Sequence, residues 1–151
     1  MDIKKLKPKK NGRFKQGYIN PNSCKKLYES QKNKPIIYRS SYERKFIEYL
    51  ESSNIVESWG SECIEIKYID KFDNTQHTYF PDYVANINGV VHIFEVKPYN
   101  QCIPPDNNLP KDGYAWRTYI KNISKWEATK KFCNTNGLKF KIITEKTINM
   151  I

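Results

Sequence analysis

Residues 79–98 read YFPDYVANINGVVHIFEVKP, and Asn88-Gly89 divides them into two mostly apolar runs. Asn-Gly is the dipeptide that most readily adopts a tight type I′ turn, so Tyr83 to Ile87 and Val90 to Val96 are predicted to be the arms of an antiparallel hairpin. Reflection about that turn sets Asp82 opposite Glu95, with Cβ atoms roughly 5 Å apart. Glu95 and Lys97 are two residues apart and share one strand face, while Phe94 and Val96 share the other. A Glu-Lys pair on a solvated strand is an ordinary surface feature. Inside a run as apolar as Val90 to Val96, which reads as a central strand, unpaired charge is costly and needs a partner.

Two carboxylates facing each other across a hairpin repel unless a proton or a divalent cation lies between them. An all-oxygen donor set favours Mg2+, with Mn2+ able to substitute, over zinc. Asp82, Glu95 and a backbone carbonyl at Val96 are therefore the expected metal ligands, and Lys97 is placed to orient a water or offset charge in a transition state. These are the parts required to hydrolyse a phosphodiester.

Working outward, Ser40 precedes Glu43 by three residues in SSYERKFIEYLESS, the capping-box pattern. Tyr42, Phe46, Tyr49 and Leu50 form an apolar stripe, widened by Ile47, so a helix from Ser41 to about Ser52 is predicted. Glu43 has two readings, a helix-capping acid or a further acid reaching toward the metal. Ile64, Ile66 and Tyr68 alternate with Glu65 and Lys67 as a half-buried strand, and Thr75 to Phe80 reads as its returning partner. Pro98 to Gly113 holds four of the eight prolines and reads as a long surface loop. Trp116, Tyr119, Ile120 and Ile123 then recur at helical spacing; whether one bent helix or two follow stays open. Asn136-Gly137 is a helix stop, and Leu138 to Thr144 a last strand. A strand after a crossover helix pairs in parallel, which makes the sheet mixed.

The charge is unevenly placed. Residues 1–34 hold eleven Lys or Arg against two acids, while the other 117 hold fifteen against fourteen. Two domains of behaviour are expected, an irregular basic arm over 1–34, with one short helical turn near Ser23 to Ser30, and a folded body over 35–151. Such an arm suits a polyanion, although a solubilising tail would look the same. Lys9, Lys10, Arg13 and Lys15 on the arm, with Arg39, Lys111, Lys121, Lys125 and Lys130 on the body, are the candidate phosphate contacts. For the helix lysines a solvated face is the alternative. Cys24, Cys63, Cys102 and Cys133 are too widely spaced for a zinc knuckle or redox motif, with Cys63 and Cys133 expected in or near the core. No run approaches a membrane span, and MDIKKLKPKKNG lacks a signal-peptide core; an intracellular protein without a membrane role is expected.

FPDY followed by FEVKP resembles the signature of the PD-(D/E)XK nuclease superfamily. With YRSSYERKFIEYLE ahead and GLKFKIITE behind, residues 35–145 resemble the small head-completion nucleases of tailed phages, and also the end-cleaving subunit of some cut-and-paste transposition systems. The resemblance implies an α/β restriction-endonuclease-like core, a mixed β-sheet flanked by helices. It also implies Mg2+-dependent cleavage of double-stranded DNA, with Glu43 joining Asp82, Glu95 and Lys97. For the phage family it implies work in DNA packaging and head completion, in the host cytoplasm during assembly or on the virion, beside head or portal proteins. A non-catalytic DNA-binding virion protein and a transposase-type or repair nuclease are the alternatives.

Overall fold

The computed structural model describes residues 16–148. Its centre is the predicted hairpin. β6 (Tyr83–Ile87) and β7 (Val90–Val96) pair antiparallel, Tyr83 opposite Phe94 and Ile87 opposite Val90. Asn88 and Gly89 both take positive φ, 48° and 79°, the backbone a type I′ turn needs.

Around it runs a four-stranded mixed sheet in the order β3-β6-β7-β8. β3 (Val56–Ser61) is antiparallel to β6, and β8 (Lys139–Ile143) is parallel to β7. Alternation along the strands makes two cores. Phe94, Val96, Tyr83 and Ala85 face helix α1 (Ser41–Ser52), whose Phe46, Ile47 and Leu50 are buried against them; the Phe46 ring stands edge-on to Phe94 at 4.9 Å. Val84 and Ile93 face the other way and pack with Cys133 of α2 (Tyr114–Asn136). The arrangement is an α/β fold with a mixed sheet between helices.

α2 is a single helix of 23 residues, ended by Gly137 in the left-handed region, which settles the alternative left open by sequence. The hairpin of β4 (Ile66–Asp70) and β5 (Thr75–Tyr79) lies outside the main sheet and packs on α2 through Ile66, Tyr68, Tyr79 and Ala128. A short helix, α3 (Glu145–Ile148), closes the described chain.

Organised structure starts earlier than position 35. β1 (Gly17–Ile19) pairs with β2 (Ile36–Tyr38), and two single 3-10 turns follow β1, at Pro21–Ser23 and Glu29–Gln31. Cys24 and Leu27 are buried in the α1-side core. Glu51 ties this segment down, its carboxylate accepting from the backbone N–H of Lys25 and Lys26 and from the Trp59 indole at 2.6 Å. The expected boundary therefore moves: residues 16–34 belong to the body. Cys63 is corrected as well, being exposed, while Cys24 and Cys133 are the buried thiols. Lys9, Lys10, Arg13 and Lys15 lie outside the described residues.

Candidate active site

The ends of β6 and β7, the start of α1 and the middle of α2 converge on a group of acids. Asp82 immediately precedes β6, and its carboxylate accepts from the Val96 backbone N–H at 2.8 Å, while the Asp82 backbone N–H reaches Glu95. The hairpin register thus makes Asp82 and Glu95 direct neighbours. Lys97, one residue beyond β7, holds its ammonium 3.8 Å from Glu95. Glu43 comes from the opposite layer. Ser40 caps α1 by accepting from the Glu43 backbone N–H at 3.1 Å, and the Glu43 carboxylate turns back to accept from the Arg39 backbone N–H at 3.2 Å.

Arg39, Ser40, Tyr42, Glu43, Asp82, Val96 and Lys97 share the lining of one pocket of about 230 Å³. Glu95 is not on that lining. It sits behind, 5% exposed, on the α2 side of the sheet, where the Tyr79 hydroxyl of β5 donates to its carboxylate. Lys125 lies over the Tyr79 ring at 5.3 Å.

Burial raises all three acids. Desolvation, then the nearby Asp82 charge, lifts Glu43 to about 7. Burial and the Glu95 charge push Asp82 up, and burial does the same to Glu95 against the pull of Tyr79 and Lys97. Burial, with Lys97 beside it, pulls the Lys125 ammonium below its ordinary value. Burial and mutual repulsion both favour the neutral carboxyl, and a cation bound among the acids would favour their ionised form instead. The donor chemistry, carboxylate oxygens and backbone carbonyl with no thiol or imidazole among them, fits a hard divalent ion. The three acids do not draw together as tightly as Asp70, Asp73 and His77, whose ligand atoms all lie within 4.8 Å of one another at the far end of the β4–β5 hairpin. Those three already serve the turn, with Asp70 accepting from Phe72 and Asp73 from Thr75.

Two residues near the site escaped the sequence reading. Glu62 follows β3 with φ of 48°, a strained setting for a non-glycine residue; its N–H donates to the Asp82 carbonyl at 3.0 Å and its carboxylate grips the Arg39 guanidinium. Arg39 is thereby held between Glu62 and Glu43. Tyr79 is the other. Its signal was the alternation of TQHTYF, which predicts a strand but not a hydroxyl aimed at Glu95. Lys125 stands by Glu95 and Asp82, with the exposed Lys121 next to it on the helix. Lys130 is five residues further along α2, about 140° round the helix, and lines a separate hollow with Cys133 and Leu138. Lys111 lies over Trp116 at 3.8 Å.

The family model described as TnsA-like endonuclease N terminal matches residues 53–145. The chain belongs to this family. The TnsA-like match runs from the residues before β3 through β8 and so contains Asp82, Glu95 and Lys97, while Glu43 lies ahead of it. The chain is also 29% identical over 123 residues to the head completion nuclease of Enterobacteria phage T4, covering 74% of this chain and 80% of that relative. The fold is accordingly the restriction-endonuclease-like one, and the protein is an endonuclease.

Tyr79→Phe removes the hydroxyl that holds Glu95 and leaves the ring in place. Partners of metal ligands typically contribute 10- to 100-fold in affinity, so Mn2+ binding by calorimetry is expected to weaken about tenfold with the melting curve little changed. Unaltered Mn2+ affinity would remove Tyr79 from the site.

Proposed function

We propose that this TnsA-like endonuclease cleaves double-stranded DNA with Mg2+, Mn2+ substituting, and does so in phage head completion. The observation that carries the chemistry is the junction of Asp82 and Glu95 across the β6–β7 turn, with Lys97 at its edge. Asp82, Glu95, Glu43 and the Val96 carbonyl would hold the ion. A divalent cation bound there lowers the pKa of the attacking water and neutralises charge growing on the phosphate. Lys97 orients that water and steadies the phosphoryl oxygens as the P–O bond breaks. Arg39 leaves Glu62 for the incoming phosphate, a better bidentate partner.

Lys121 and Lys125, with the basic chain before residue 16, track the backbone without reading bases, so affinity falls steeply with salt. Likeness to the phage T4 head completion nuclease supports the biological setting, with activity in the host cytoplasm during assembly or on the virion, and with head or portal proteins as partners. No helix among the described residues is long and apolar enough to cross a membrane.

The test is the purified chain on supercoiled plasmid and on RNA of matched length, with Mg2+, Mn2+ or chelator. Nicking or linearisation that needs the cation and prefers DNA is expected. DNA binding with no cutting under any cation would leave a structural virion protein, and preference for RNA would overturn the substrate.

A further inference from the structure

Helix α2 carries more than the one lysine beside the acids. Lys125 lies near Glu95 and Lys97, with Lys121 next to it. Tyr114 stands seven and eleven residues before these two, and at 100° per residue the three fall within about 20° of one helix face. A basic stripe thus runs from the acids along α2 and ends on an aromatic ring at the first residue of the helix.

That ring is 86% exposed, against 37–59% for the other outlying large apolar side chains among the described residues. The residues beside it in the first turns of α2 are anchored. Lys111 covers the face of Trp116 at 3.8 Å, the Trp116 edge meets Tyr119 at 5.8 Å, and the indole donates to the Asp106 carbonyl at 3.3 Å. A single exposed tyrosine is unremarkable by itself. At the end of a stripe suited to phosphates it is the combination that single-stranded nucleic acid binds, cations for the backbone and an open ring for a base.

We propose that Tyr114 is a stacking platform for an unpaired base, so that the preferred substrate is a duplex with a single-stranded tail or frayed end. This rests on the DNA-cleaving reading above and adds the substrate's structure to it. Eleven helical residues rise about 16 Å, or about five nucleotides at the phosphate spacing of a stacked strand. Tyr114 therefore meets the strand about five nucleotides from the bond that is cut. Inside an intact duplex a ring there would find only base-pair edges; a base out of the stack offers its face.

The experiment measures binding of the full chain, in chelator, to a blunt duplex and to the same duplex with a short single-stranded tail carrying 2-aminopurine. The tailed DNA is expected to bind about tenfold more tightly, a typical worth for one stacked base, with the fluorophore quenched. In Tyr114→Ala the preference falls to near unity and the quench is lost, while Tyr114→Phe keeps both; circular dichroism melts monitor the fold. No preference in the parent chain, a preference that survives in Tyr114→Ala, or a Phe variant that behaves like Ala would each overturn the platform, the second by handing Tyr114 to a protein partner. If the blunt duplex is still cut with Mg2+ while the tail confers nothing, the platform alone fails; if no DNA is bound or cut, both readings fall.

Discussion

Asp82→Asn is expected to reduce plasmid cleavage by at least about 10³-fold while making the metal-free protein more stable. The change is isosteric, and the side-chain oxygen can still accept from the Val96 N–H that Asp82 uses at 2.8 Å, so the hairpin keeps its shape. What disappears is the charge. Asp82 is raised by burial and by Glu95, which means that its ionised form strains the fold in the absence of a cation. On the proposed reading, a cation bound there would lose a ligand without that charge and the developing phosphate charge would lose its counterweight, an electrostatic deficit of several kcal/mol. Single-turnover nicking rates measure the first effect, and thermal melts in chelator the second. The opposite signs matter, because a misfolded variant would lose both activity and stability. Cleavage within tenfold of the parent would place the reaction elsewhere in the molecule.

The legible part of this protein was its local part. The β6–β7 register follows from Asn88-Gly89 and from the alternation beside it, both within a span the turn controls, and with it came the neighbourhood of Asp82 and Glu95. α1 was readable because Ser40, Glu43 and the Phe46–Leu50 stripe each act within a turn or two of helix. β3 was not readable as a strand. A register shift between Val56 and Ser58 breaks the period-two pattern, and the pairing that makes VESWGS a strand comes from β6, more than twenty residues on.

Residues 16–34 misled for a similar reason. Their lysines suggest a solvated arm, yet Leu27 bridges Trp59 and Glu51 anchors Lys25 and Lys26, contacts that only the tertiary fold creates. The same holds for Glu62 and Tyr79. Neither belongs to a motif, and each reaches the acids because a separate element, the end of β3 or the outlying β5, is packed against the sheet there. Glu43 falls between: its capping role is written in four residues, while its burial depends on how α1 lies across the strand ends.

Glu43 also makes the metal-free protein sensitive to pH. Its carboxyl rises from an ordinary 4.5 to about 7 through burial and the Asp82 charge. The unfolded chain therefore gives up this proton near pH 4.5, whereas the folded chain keeps it until near neutrality. Stability tied to that proton is fully present in acid and is lost as pH rises through about 7. A shift of this size corresponds to about 3 kcal/mol, or on the order of 10 °C in melting temperature for a domain this large. Asp82 and Glu95 are raised too and act with the same sign. In chelator the melting temperature is thus expected to fall between pH 5 and pH 8, and Glu43→Gln to flatten much of that slope. A saturating divalent cation should reverse it at the alkaline end, since an ion at about 100 times its dissociation constant stabilises by about 2.7 kcal/mol and binds only the ionised acids. Melts across this range, with and without Mn2+, measure all three effects. A metal-free melting temperature that stays level from pH 5 to pH 8 would mean that these carboxylates are neither buried together nor waiting for a cation.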